Sequence, residues 1–392
     1  MNTSGILSFD ECELALRADL FETTIHFFPE RKQYGLLLSE IPLSIEFKLG
    51  DFSFIPIKRN TVNFYKPYAL LICLPETIDL LYVPCVGEVL SALLSFSFRR
   101  RMKNCRLLHI RLVNNEDELS DELFRYLPCG SVGTEASLQL PLTETEQKNR
   151  ISDLEKIYEK IMRINKEDYL AVIRALHQYQ LSLLAYREDV GLAFSILVSS
   201  IESMAKQFVD KNFQFRDLTD HAEWENLFLK SGMPEESEKQ IKDKLLKKEH
   251  FISRRFRDFI IANLPESFWT SPDSKAKEFD DYLESLRAGF PEDKTQKRSH
   301  FEKWWHLYKN EMKPNKEELS DILKKIYNVR SKFFHVGESP PAEVIGLYET
   351  ASIKINFKSH ENRLKFVRSI PCFFWFERVV HDSILNFVMN KL

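Results

Sequence analysis

The sequence predicts an α+β chain. A strand-rich N-terminal domain over residues 1–142 precedes an all-α bundle over 143–392, and the bundle carries a long helical insertion at about 211–313. Three observations predict this. Apolar residues alternate with period two before residue 113. A stretch rich in glycine, proline, serine and threonine, from Leu127 to Glu146, separates the two parts, and apolar residues then recur at helical spacing. With 392 residues and 44% hydrophobic content, the chain is long enough for two or three domains with ordinary cores.

The first part reads as half-buried strands. In LSIEFKL, Leu43, Ile45, Phe47 and Leu49 share one face, with Ser44, Glu46 and Lys48 on the other; CRLLHIRLV repeats the pattern with Leu108, Ile110 and Leu112. Between them VGEVLSALLSFSFRRRMK changes to a helical run. It ends in Arg99, Arg100, Arg101 and Lys103, cations that suit a helix C-terminus by its dipole alone, or a contact with nucleic acid or a partner.

Thr143 and Glu146 read as a capping box, after which Ile151, Leu154, Ile157 and Ile161 mark the first bundle helix. Helices at about Glu167 to Tyr186 and Asp189 to Phe208, joined by REDVG, form an antiparallel hairpin. The second has an apolar stripe through Phe194, Leu197 and Ile201. Beside it runs a polar one of Ser195, Ser199 and Glu202, although Glu202 also suits a plain i,i+4 pair with Lys206.

The insertion is dense in charge and aromatic residues. Lys247, Lys248, Arg254, Arg255 and Arg257, interleaved with phenylalanine, are candidates to hold RNA through phosphate charge and base stacking. A solvated amphipathic face is the alternative, because acidic residues are mixed through the same stretch. Pro314 and Asn315 then open a helix with Ile322, Ile326, Val329 and Phe333 on one side, which stops at Gly337. Pro371 fits the first turn of a last helix with a core face of Phe376, Val380, Ile384, Phe387 and Val388.

Composition excludes several functions. A net charge of -3 from 55 basic and 58 acidic residues gives no global field toward nucleic acid or an anionic membrane, so any such binding is local. The six cysteines form no C-x-x-C and no Cys/His cluster at zinc spacing, which argues against a structural metal or a disulfide scaffold and suits a cytoplasmic setting. The N-terminus lacks the pattern of a signal peptide. The most apolar region, Tyr68 to Phe98, is interrupted by Pro75, Glu76, Asp79, Pro84 and Glu88, so no membrane span is expected. There is no glycine-rich phosphate loop, and no cofactor is expected.

YNVRSKFFHVGE, Tyr327 to Glu338, ends an apolar-striped helix with an arginine and a histidine five positions apart. On a regular helix Arg330 and His335 diverge by about 140° and about 7.5 Å along the axis. They meet only if the last turn unwinds or a second copy of the chain supplies the other half. The same bare spacing recurs at Arg216 and His221, so it carries little by itself. Only the first copy has a tyrosine three residues before the arginine, a serine directly after it and a glycine two residues past the histidine.

In that context YNVRSKFFHVGE resembles the signature helix of HEPN domains, particularly the Apea-like group. FSILVSSIESMAKQF and FFWFERVVHDSILNFV are similar to that group's other helices, so the resemblance covers about residues 150–392. It implies an HEPN-like bundle and a metal-independent endoribonuclease acting as a homodimer, in a defence or toxin effector that leaves 2',3'-cyclic phosphate ends. His335 would then be general base or acid, and Arg330 would stabilise charge on the phosphate. Ser331 would donate to phosphate or position the imidazole, and Tyr327 and Glu202 would support the site. The N-terminal domain would sense a protein or ligand trigger. Two features stand against catalysis: Arg330 can pair with Glu202 while His335 caps its own helix, and some members of the family keep the helices only for dimerisation, RNA binding or protein interaction.

Overall fold

The computed structural model describes residues 12–17, 33–57, 68–75, 83–105, 142–186, 188–209, 213–218, 220–248, 251–271, 316–337 and 373–392. Five strands form one antiparallel sheet: β1 (Gln33–Ser39), β2 (Phe47–Leu49), β3 (Phe52–Pro56), β4 (Tyr68–Leu74) and β5 (Met102–Asn104), in the order β2-β3-β4-β1-β5. The central pair, β1 and β4, is apolar on both sides. Leu37, Leu70 and Ile72 face the main core, while Tyr34, Leu36, Leu38, Ala69 and Leu71 form a second, smaller cluster. The alternation expected of LSIEFKL is present in its burial, although only its second half pairs as β2. The segment Leu108 to Leu112 lies outside the described residues.

Helix α1 (Val83–Phe98) covers the main-core face of the sheet. It stops at Phe98, five residues earlier than the helical run predicts, because Arg99 takes a left-handed conformation (φ 53°) and Met102 enters β5. The three arginines of the basic cluster are therefore not a solvated helix end, whereas Lys103 is exposed. Arg99, Arg100 and Arg101 are all buried; Arg101 pairs with Glu40 (Nε to Oε2 2.5 Å) and Arg99 with Glu377 of the last helix.

The helical part begins with α2 (Glu144–Ile161), opened by the predicted capping box between Thr143 and Glu146. The predicted hairpin follows as α3 (Lys166–Ala185), capped by Asn165, and α4 (Val190–Phe208), capped by Asp189. Within the expected insertion lie α5 (His221–Ser231), α6 (Glu235–Lys248), α7 (Ile252–Asn263) and the short α8 (Ser267–Thr270). Helix α7 belongs to the core: Phe256, Phe259 and Ile260 are buried against α4 and the two later helices. These are α9 (Leu319–Val336) and α10 (Phe373–Lys391). The predicted core face of α10 is buried throughout. Pro314, Pro371 and residues 272–313 lie outside the described residues.

One apolar core runs through both parts of the chain, from Leu37 and Phe54 in the sheet through Leu93 of α1 to Leu176, Phe194, Phe259, Ile322 and Phe376. The two parts predicted as domains are thus packed together. Gln180 of α3 strengthens the joint by donating to Ser91 of α1 (2.8 Å) and to the Met102 carbonyl in β5 (2.7 Å). The segment 12–17 clasps the bundle and buries Leu14, Ala15 and Leu16 in the shared core: Arg17 donates to the Ile161 and Ile164 carbonyls at and just past the end of α2, and Arg174 of α3 pairs with Glu13. Among the described residues, no helix is long and apolar enough to cross a membrane.

Candidate functional site

Leu319, Ile322, Leu323 and Ile326 recur at helical spacing and bury one face of α9 against α4 and α7. The helix stays regular to Val336 and ends on Gly337, whose φ of 71° only glycine adopts without strain. The Gly337 amide satisfies the carbonyls of Lys332 and Phe333. With no unwinding before Gly337, Arg330 and His335 diverge within one chain.

Arg330 turns toward α4. Its terminal Nη2 donates to Glu202 Oε2 at 2.9 Å, with side chains 20% and 15% exposed. The guanidinium also lies over the Phe334 ring at 5.1 Å and near that of Tyr327 at 6.0 Å, so two π faces and one carboxylate fix its plane. Tyr327 in turn packs on Phe256 of α7, with ring centroids 5.6 Å apart. Arg330 Nε is buried with no hydrogen-bond partner. Glu202 thus faces the arginine of the neighbouring helix, and Ser331 sits half-buried beside it.

His335 projects from the opposite side and is exposed, flanked by Phe334 (49% exposed) and Val336 (73%). This end of α9 presents two apolar side chains and an imidazole to its surroundings. The second Arg-to-His spacing is unlike it, since His221 Nδ1 sits 3.0 Å from the Leu218 carbonyl at the start of α5.

The three basic candidates carried by α7 do not form one surface. Arg255 is buried and donates to the Lys206 and Val209 carbonyls at the end of α4 (2.5 and 2.8 Å), so it is a structural cap and not an RNA contact. Its burial also lowers its pKa. Arg254 pairs with Asp217 at 2.5 Å and lies over the Phe213 ring. Arg257 is half-buried, its Nε without a hydrogen-bond partner. Lys247 and Lys248 close α6, and their side chains lie outside the described residues.

A second polar cluster, invisible to spacing rules, is buried where α1, α3 and α10 meet. Glu377 accepts from Arg99 along two edges and from the Tyr179 hydroxyl. Burial and the neighbouring Glu377 carboxylate push the Tyr179 phenol well above its ordinary value, so it stays a donor. His381 packs on Phe96 at 4.7 Å and shares a 2.8 Å hydrogen bond with Asp382. Burial pushes His381 below the ordinary histidine range, outweighing the pull of Asp382. Burial also acts on Asp382 in the upward direction, but its bond to His381 and the charges of His381, Arg99 and Arg378 hold it below the carboxylate range. The one hint in the sequence is the polar pair of dipeptides, Glu377-Arg378 and His381-Asp382, inside an otherwise apolar helix.

Among the described residues, no group of three or more His, Cys, Asp or Glu is placed to hold a metal ion. No family model matches the chain, and no curated protein or solved structure compared with it is similar.

Proposed function

We propose that the chain is a metal-independent endoribonuclease of the HEPN type that works as a dimer, with the ends of two α9 helices paired across a two-fold axis. The observation that carries this reading is the end of α9 itself: a guanidinium oriented by Glu202, and five residues on an exposed imidazole among exposed apolar side chains. An arginine and a histidine that diverge on one helix converge when a second copy faces them. Phe334 and Val336 give that contact its apolar surface.

The chemistry follows from the residue types. His335 of one copy takes the proton of the RNA 2'-hydroxyl, whose oxygen attacks phosphorus. The P–O5' bond breaks, and the imidazole of the other copy protonates the leaving 5'-oxygen. Arg330, whose guanidinium can hold two phosphate oxygens at once, stabilises the charge that builds on the non-bridging oxygens. Ser331 would donate to the same phosphate. The RNA substrate, the defence or toxin role and a trigger sensed by the strand-rich part belong to the same proposal. The packing of α1 on α3 and α10 supports that last element, since it puts the sheet in contact with the bundle.

The ion pair between Arg330 and Glu202 favours a second reading, a non-enzymatic dimerisation or RNA-binding module in which Arg330 only ties α9 to α4. Incubating the purified chain and its His335→Ala variant with total RNA in EDTA separates the two. His335 is exposed, so the variant keeps the fold. The nuclease reading expects cuts with cyclic phosphate ends from the parent alone, and equal cutting by both proteins would remove His335 from the mechanism. Intact RNA in both would favour the binding module.

A further inference from the structure

The sulfurs of Cys12 and Cys85 lie 2.7 Å apart although 73 positions separate them in the chain. Cys12 belongs to the clasp segment and is partly exposed; Cys85 is buried in the first turn of α1. The separation compares with about 2.05 Å in a disulfide. Sequence spacing gives no sign of the pair, because the sheet strands β1 to β4 lie between the two cysteines.

We propose that Cys12 and Cys85 are a redox-sensitive thiol pair that closes to a disulfide when the protein meets a hydroperoxide. The geometry assigns the two steps. Cys12, the more accessible, attacks one oxygen of the peroxide as thiolate. The O–O bond breaks, the other oxygen leaves and takes a proton as alcohol or water, and Cys12 becomes a sulfenic acid. Cys85 is the resolving thiol. It sits in the first turn of a sixteen-residue helix, with its sulfur 2.7 Å from that of Cys12. Its sulfur attacks that of Cys12, the S–S bond forms, and the hydroxyl leaves as water with one proton. In sum, two thiols and one hydroperoxide give one disulfide, one alcohol or water, and one further water.

The bond would join two contacts that already meet at this point. The clasp segment holds the end of α2 through Arg17 and holds α3 through Glu13, whereas α1 lies on the sheet. Oxidation therefore staples the clasp to the helix that links sheet and bundle, closing a long loop of chain; reduction removes that tie and leaves the Arg17 and Glu13 contacts. A cross-link over a loop of this length stabilises mainly by constraining the unfolded chain.

The test uses the full chain, purified reduced and treated with stoichiometric hydrogen peroxide. Remaining thiols are then alkylated, and the protein is digested with a protease that cuts after glutamate. Cleavage at Glu76 separates Cys85 from Cys73. The expected product is a peptide pair joining Cys12 to Cys85, lighter by two hydrogens than the reduced peptides and released by dithiothreitol, with Cys73 and Cys105 alkylated. The unfolding midpoint should rise by roughly 5 °C on oxidation in the parent and stay unchanged in Cys12→Ser. A cross-link that joins other cysteines instead, or Cys12 driven to sulfinic acid with no cross-link, would overturn the proposal. Both are read on the unsubstituted protein, so neither depends on a variant folding.

Discussion

Arg99 meets Glu377 along two edges, Nε to Oε1 at 3.0 Å and Nη2 to Oε2 at 2.7 Å, with both side chains buried between α1 and α10. The two residues stand 278 positions apart in the chain. Arg99 holds this geometry from a left-handed backbone that arginine rarely adopts, at a cost of roughly 1–2 kcal/mol. The bidentate pair offsets that strain.

Arg99→Gly relieves the backbone and removes the counter-charge, so its two effects have opposite signs. Removing one partner of a buried ion pair costs about 3–5 kcal/mol, which exceeds the strain recovered. Urea unfolding should therefore show net destabilisation of about 1–4 kcal/mol. Arg99→Met combined with Glu377→Met should cost less than either single change; a double variant as unstable as the sum of the singles would show that the pair is not coupled.

His381 makes stability depend on pH. Burial lowers its proton affinity in the folded state below the unfolded value of 6.5. The unfolded chain then binds more protons as pH falls below that value, so stability is full above it and declines toward acid. Asp382 acts in the same direction, but only as pH falls below its own unfolded value of 3.8. Unfolding midpoints compared at pH 7.5 and 5.5 should drop toward acid in the parent and drop less in His381→Phe.

Arg255 should behave as a helix cap and not as an RNA contact. Arg255→Ala removes two charge-assisted bonds to the last carbonyls of α4 and should cost about 2–4 kcal/mol. If the chain binds RNA, the salt dependence of that binding should stay unchanged in a variant kept below its melting temperature. A reduced salt slope would return Arg255 to the binding surface.

Gly87 lies inside α1, where alanine would ordinarily stabilise a helix by about 1 kcal/mol. A methyl group there would collide with the Asn104 side-chain amide, and Asn104 is itself buried in β5. Overpacking of this kind costs about 1–3 kcal/mol, so Gly87→Ala should destabilise despite its better helix propensity. Thermal unfolding decides the sign.

The ends of the α3 and α4 helices were legible to within about a residue, because Asn165 and Asp189 are short polar caps set before apolar stripes. The alternation of Leu43 to Leu49 was legible for the same kind of reason: one face meets the core and the other meets water. The fate of the arginines was not. Arg99 and Arg101 look like the solvated end of a helix until Glu377 and Glu40 arrive from 278 and 61 positions away. Adjacent Arg254 and Arg255 differ in burial only because α4 ends beside one of them. At the candidate site the residue types could be read, and so could the choice of partners for Glu202. Which partner it takes depends on how α9 crosses α4, and periodicity is silent on that crossing.

The core shared between sheet and bundle bears on where this chain can be divided. A fragment beginning at residue 143 would keep every helix from α2 onward, yet Phe96 would no longer cover Tyr179, and Glu377 would lose the Arg99 guanidinium that pairs with it. The smallest autonomous folding unit is therefore larger than the helical half, and any truncation meant to isolate the Arg330 helix must keep α1 with it.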